Sequence, residues 1–390
     1  MDRFTATERA LRQSAPHALL QAVQKALAAH YGATSVDLLM ADYAMTILQP
    51  VSELPYTAEP IPVHDSSPGR AFGAQRPHVV ADDRTGRLTA HLPVSVRGDR
   101  IGVLSVVLAQ ETYDATAEQE LRDIAEVLGH SIVVAERDTD VYLQARRANR
   151  LTLAAEMQWQ LLPGRSSSRP EYEIGAQLEP AYAIYGDNFD WSTSADHLTL
   201  VVTNGMGEGI EAALLTNLAV NALRNARRAG LSLSDQACLA DQAVYGHYRG
   251  DAYLSTLLLR FDLDTGRTQI VDAGSPRMWR LRHGKAEQIH PEAQMPLGMF
   301  EDTPYTTEDF EVQPGDRLVF VSDGVYNVAS PVGERYSEKA LMRALTNTRL
   351  LPASQVPRAV LQELAGHRGP IDADDDAMVV CLDWHGRQND

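Results

Sequence analysis

The stretch Leu198–Arg228 (LTLVVTNGMGEGIEAALLTNLAVNALRNARR) constrains the chain more than any other. Its apolar start, Leu198 to Val202, reads as a buried strand, and its alanine- and leucine-rich remainder reads as a helix ended by Gly230. Between them stands Asn204-Gly205-Met206-Gly207-Glu208-Gly209, with a glycine at every second position from 205. Glycine takes positive φ and lets backbone approach another group closely, which residues with a Cβ resist. Strand, glycine turn and helix in that order can cradle a phosphate, form the edge of a metal site or make a tight connection. The turn alone does not choose among these. No Gly-Lys-Ser/Thr follows, and Glu208 would repel phosphate, which counts against a nucleotide phosphate loop.

Acidic residues stand beside strand ends at three further places. Tyr185-Gly186-Asp187-Asn188-Phe189-Asp190 occupies a turn, Val321-Ser322-Asp323-Gly324-Val325 closes an apolar strand, and Asp374-Asp375-Asp376 precedes the last strand. Carboxylates on strand ends gather hard divalent cations; their oxygens suit Mg²⁺ or Mn²⁺, and bridging carboxylates hold two ions about 4 Å apart. Each place taken singly is equally a turn acid capping a backbone amide. Four in one domain, with glycines beside three of them, favour a cation site.

The second half of the chain is strand-rich. Strands are expected at 172–178, 198–203, 253–262, 267–273, 278–283, 317–322 and 378–382, and helices at 209–229, about 232–248 and as a pair within 337–366. Turns at Asp264-Thr265-Gly266, Gly274-Ser275-Pro276 and Arg282-His283-Gly284 are too short for parallel crossovers. The fold class is therefore α+β, with antiparallel sheets flanked by helix layers.

The first half differs. A helix is expected over 5–31, short strands at 35–40, 45–48 and 78–81, a hairpin of 92–96 with 101–107 around Arg97-Gly98-Asp99-Arg100, and a closing helix over 117–136. From Asp138 to Leu162 the apolar positions Val141, Ala145, Leu151 and Met157 suggest one connecting helix and a coiled-coil seam for a homodimer. It stops at Leu162-Pro163-Gly164, and the serine-rich run 165–170 reads as a linker. The expected division is 1–136, a connector over 137–164, and 165–390.

Charge and cysteine usage narrow the function. Lys plus Arg is 35 against 52 for Asp plus Glu, a net charge of −17, which argues against nucleic-acid binding. Two cysteines exclude a disulfide scaffold and a cysteine zinc site, and suit a reducing cytoplasm. No apolar run approaches the roughly 20 residues of a membrane span, so no membrane partner is expected.

Residues 151 to about 384 resemble the metal-dependent protein phosphatases (PPM family), specifically the SpoIIE-like branch. Ala155-Glu156-Met157-Gln158 with Leu161-Leu162-Pro163 is similar to that branch's leading helix, Gly186-Asp187-Asn188-Phe189-Asp190 to its first metal motif, and Asn204 to Ile210 to its second. Ala273-Gly274, Pro296-Leu297-Gly298, Pro314-Gly315-Asp316 with Ser322 to Val325, and Asp375-Asp376 complete the series. In the first half, Tyr31-Gly32-Ala33, Ser67 to Phe72, Leu92-Pro93-Val94 and Ile101 to Leu104 resemble a GAF domain.

The resemblance implies a PPM/SpoIIE-type β-sandwich between helix layers, preceded by a GAF-like sensor with an unknown ligand. It implies hydrolysis of phosphoserine or phosphothreonine in a protein, such as an anti-sigma-factor antagonist, by water on two Mn²⁺ or Mg²⁺ ions. Asp187, Asp323 and Asp375 match metal ligands, and the Gly205 backbone matches a carbonyl ligand. Asn204 stands where the family has an aspartate that bridges both ions, and Tyr185, Ser275 and Met378 are lesser departures. Three carboxylates and a neutral amide against two dications lead to the expectation of one weakly held ion and low activity. The alternative is a pseudophosphatase that acts as a regulatory binding protein.

Overall fold

The computed structural model describes residues 2–51, 59–179, 185–274, 276–370 and 375–387. Ser275 and Asp374 lie outside them. The chain divides into two compact units, Met1–Arg150 and Leu151–Asp390.

The first unit opens with α1 (Arg3–Gln13) and α2 (Leu19–Tyr31) in place of the single helix expected over 5–31. Pro16 is the cause: it bars the helical region to the residue before it, and Ala15 is extended at φ −65°, ψ 148°. Strands β1 (Ser35–Ala41), β2 (Ile47–Pro50) and β3 (Ile61–Pro62) follow, then α3 (Ser67–Ala74), β4 (His78–Asp82), β5 (Arg87–Val96) and β6 (Asp99–Ala109). They make one antiparallel sheet in the order β3-β2-β1-β6-β5-β4. Arg97 and Gly98 both take positive φ at the β5–β6 turn, which suits the twist of a tight hairpin. Leu88, Ala90, Leu92 and Val94 of β5 face the core shared with α2 and α4 (Ala115–Ala135), whereas Leu39, Ala41 and Val103 pack on Ala71 and Phe72 of α3.

Just after β1, the fully buried Asp42 closes a turn with its carboxylate. Oδ1 accepts from the Thr46 and Ile47 N–H groups at 2.7 and 3.0 Å, and Oδ2 from Ala44 N–H at 3.1 Å.

The expected connecting helix is two helices, α5 (Val141–Ala145) and α6 (Leu153–Leu161). Ala145 is buried in the first unit's core with Val141 beside it, whereas Leu151 and Met157 pack around Ala154, Ala155 and Ala213 of the second. No continuous seam therefore links the four positions. The stretch 146–152 between the helices is mostly polar and non-helical, and Thr152 starts α6 afresh by accepting from Ala155 N–H at 3.2 Å. The serine-rich run is likewise no linker: β7 (Ser166–Arg169) is an edge strand paired with β8 (Tyr172–Glu179).

In the second unit, β9 (Asn188–Thr193) and β10 (His197–Asn204) lead to α7 (Gly209–Arg228) and α8 (Leu233–Tyr248). Then come β11 (Ser255–Asp262), β12 (Arg267–Ala273), β13 (Arg277–Arg282), β14 (Lys285–Ile289), β15 (Glu308–Glu311) and β16 (Arg317–Val321). The short α9 (Asp323–Tyr326), α10 (Glu338–Asn347), α11 (Val356–Arg368) and β17 (Ala377–Trp384) end it. Two antiparallel sheets result, β15-β12-β11-β10-β9 and β14-β13-β16-β17-β8-β7.

Alternation assigns the layers. Leu198, Leu200 and Val202 of β10 meet Met378, Val380 and Leu382 of β17 between the sheets. The odd-numbered Val201 packs with Leu223, Leu233 and Ala237 of the α7–α8 layer, and Val379 and Cys381 pack with Leu341, Val360 and Leu361 of the α10–α11 layer. This is the sandwich between helix layers expected from the sequence. Among the described residues no helix is long and apolar enough to cross a membrane.

Candidate functional site

Four segments meet at one end of the sandwich: the turn 185–187 before β9, Asn204-Gly205 after β10, Ser322-Asp323-Gly324 after β16, and Asp375-Asp376 before β17. Main-chain contact holds them. Gly205 N–H donates to Asp187 Oδ1 at 3.2 Å, and a Cβ on Gly205 would lie 2.3 Å from the carbonyl carbon of Gly186. Only glycine lets the two turns come so close. Gly186 itself has φ 103°, and its carbonyl accepts from the Thr216 hydroxyl of α7 at 2.7 Å.

The Asp376 side chain joins the other sheet to this pair. Asp376 Oδ2 accepts from the N–H groups of Tyr185 at 2.9 Å and Asp187 at 3.2 Å. Asp376 is held in turn by Ser322, whose hydroxyl donates to its carbonyl at 3.3 Å and accepts from Met378 N–H at 2.9 Å. At Gly324 a Cβ would lie 1.9 Å from that same carbonyl oxygen. Asp375 Oδ1 accepts from Asp376 N–H at 2.8 Å. From α6, the buried Gln158 side chain donates to the Asp187 carbonyl. Asp190, buried between Arg224 at 2.7 Å and Arg227 at 3.0 Å, fixes α7 against β9.

The electrostatics are unusual for an interior. Asp187 and Asp376 are 2% and 0% exposed. Asp187 Oδ2, Asp376 Oδ1 and Asn204 Oδ1 are buried with no hydrogen-bond partner among the described residues. Burial holds the Asp187 carboxyl well above its ordinary range, and the charges of Asp376, Asp375 and Asp323 add to this against the Ser322 hydroxyl. Burial likewise pushes Asp376 up to about 7, aided by Asp375 and opposed by the N–H groups of Tyr185, Asp187 and Gly186. Carboxylates arranged in this way need a proton or a cation.

The donor chemistry fits a hard divalent cation, because every available ligand atom is oxygen. Among the described residues no three His, Cys, Asp or Glu side chains already close around a common point. All five positions expected from sequence nevertheless lie at this end. Asp187 is buried, Asn204, Asp323 and Asp375 are half-buried, and Gly205 abuts Gly186.

Asp376 was not among them, although strand alternation points to it. It shares the parity of Met378, Val380 and Leu382, which face between the sheets. Gln158 and Thr216 carried no such signal, since each acts through a main-chain carbonyl remote in sequence.

The sequence profile of the family described as Stage II sporulation protein E (SpoIIE) matches residues 194–385. Protein IcfG of Synechocystis sp. is 24% identical over 265 residues, 60% of this chain and 41% of that protein. Phosphoserine phosphatase RsbU of Bacillus subtilis is 21% identical over 200 residues, 51% of this chain and 60% of that protein. The chain thus spans less than two thirds of the length of these curated relatives. Among solved structures, the SiaA-PP2C domain of Pseudomonas aeruginosa is similar with a TM-score of 0.50 at 19% identity, over 60% of this chain and 94% of that domain. This last likeness is one of fold. The profile match and the two-sheet architecture identify residues 194–385 as a SpoIIE-type domain of the PP2C fold.

Proposed function

We propose that the chain is a metal-dependent protein serine/threonine phosphatase of reduced activity, with the first unit serving as its GAF-like sensor. The observation that carries this reading is the pair of buried carboxylates, Asp187 and Asp376, each with an oxygen that has no hydrogen-bond partner among the described residues. Asp187, Asp323 and Asp375 would hold Mn²⁺ or Mg²⁺, helped by the Gly205 carbonyl and Asn204 Oδ1. Such ions, when bound, activate water and stabilise the charge on a phosphoryl group.

The protein's own contribution is position. Gly205 N–H fixes Asp187 Oδ1 and leaves Oδ2, which has no hydrogen-bond partner among the described residues, as a ligand atom, and Gln158 holds the same residue's carbonyl from α6. Asn204 is the weak point: an amide offers one neutral oxygen, and its nitrogen cannot ligate. Two ions would lack a charged bridge, which lowers activity. A phosphorylated anti-sigma-factor antagonist is the class of substrate that the family resemblance suggests.

The same asparagine supports a second reading, a regulatory pseudophosphatase that binds without hydrolysis. Turnover of a phosphoserine peptide with Mn²⁺, measured for the unmodified protein and Asn204→Asp, separates the two. Slow hydrolysis that rises about tenfold or more in the variant supports the phosphatase. Hydrolysis by neither form establishes the pseudophosphatase.

A further inference from the structure

Asn204 brings no charge to the site end of the sandwich, the end at which Asp376 also lies. Asn204 ends the inward-facing series Leu198, Leu200 and Val202, and Asp376 begins the inward-facing series Met378, Val380 and Leu382 of the opposite sheet. Both residues therefore address the space between the two sheets.

Holding the 185–187 turn does not require an acid at 376. One oxygen, Oδ2, takes the N–H groups of Tyr185 and Asp187, and the carbonyl oxygen of an asparagine would accept both equally well. The side chain is fully buried, and its second oxygen has no hydrogen-bond partner among the described residues. A carboxylate so placed is costly unless something positive comes to it.

Resting on the reading of this end as a metal centre, we propose that Asp376 supplies the negative charge that Asn204 lacks. With Asp187, Asp323 and Asp375 it makes four carboxylates, whose charge equals that of two divalent cations. Asp376 is then a positioning residue with an electrostatic task. It holds the turn that carries Asp187 through one oxygen and balances the ions through its charge. The single weakly held ion expected from three carboxylates gives way to two.

Calorimetric titration of Mn²⁺ into the full chain, after stripping with EDTA, tests this without relying on turnover. The unmodified protein takes up two ions. Asp376→Asn keeps the acceptor and loses the charge, so the second ion is lost or weakened by about tenfold or more. The metal-free variant melts no lower than its parent. Adding Asn204→Asp to Asp376→Asn restores the second ion, a rescue that a purely structural role would not produce.

A single ion in the unmodified protein overturns the proposal, as does an Asp376→Asn variant that binds two with unchanged affinity. Should Asp376→Asn fail to fold, Asn204→Asp alone decides. A count that stays at two supports four carboxylates in the parent, and a rise from one to two refutes them. No Mn²⁺ uptake at all sinks both the metal-centre reading and this one. Two ions with the expected losses, but no hydrolysis by any form, sustain the inference and end only the phosphatase reading.

Discussion

Asp42 in the first unit and Asp187 in the second are both buried acids at strand ends, yet their surroundings are opposite. Asp42 spends both oxygens on three main-chain N–H groups, so its charge is used to close a turn. Asp187 has one oxygen on Gly205 N–H and the other without a hydrogen-bond partner among the described residues, with the similarly placed Asp376 beside it. The first arrangement is complete as folded. The second becomes complete only when something else arrives, and that separates a structural acid from one kept for chemistry.

The largest expected effect is on stability, and its sign differs between the two acids. Asp42→Ala removes the buried acceptor shared by three main-chain N–H groups and destabilises the first unit by about 3 kcal/mol. Asp187→Asn takes one of several clustered charges out of the metal-free second unit, so that unit loses nothing and gains up to about 1 kcal/mol. Hydrogen exchange in urea, read on peptides from each unit, resolves the two. A loss at Asp187→Asn equal to that at Asp42→Ala would erase the distinction.

A smaller effect is one of pH. Asp376 is raised from 3.8 to about 7 by burial, so between these values the folded state keeps a proton that the unfolded chain releases. The stability this gives is whole below about pH 4 and is lost as pH rises through about 7. The metal-free second unit therefore melts at a lower temperature at about pH 8 than at about pH 5, and added Mn²⁺ flattens the slope by taking the proton's place. A flat profile without metal would mean that the folded state does not keep the Asp376 proton.

The smallest effect concerns the join between the units. Brief trypsin treatment is expected to cut after Arg147 or Arg150, in the non-helical stretch before Thr152, and to spare Arg169, whose strand is paired with β8. Cleavage at Arg165 or Arg169 instead would restore the serine-rich run as the boundary.

These contrasts also show what the sequence made legible. The apolar runs of β10, β16 and β17 and their glycine-flanked acids were readable because strand, turn and acid are all local signals. Polar edge strands were not: β7 is three serines and an arginine, indistinguishable from a linker until β8 lies beside it. The 138–162 stretch carried a helical period, but whether its apolar positions face a partner chain or their own unit depends on contacts remote in sequence. Asp376 was a partial miss. Its parity was there to be read, whereas its grip on Tyr185 and Asp187 depends on two sheets meeting.

The close glycine contacts bear on how this end of the molecule could be altered. At Gly205 and Gly324 the would-be Cβ strikes polypeptide atoms, the Gly186 carbonyl carbon and the Asp376 carbonyl oxygen, rather than a side chain able to swing aside. The gap between neighbouring carboxylate-bearing turns is thus gauged by the thickness of the chain itself. Wholesale exchange of the hydrophobic interior would leave that gauge untouched, whereas one added methyl at position 324 would lever β16 and β17 apart at their ends. For anyone transplanting this site into another sandwich, the glycines must travel first and the acids second.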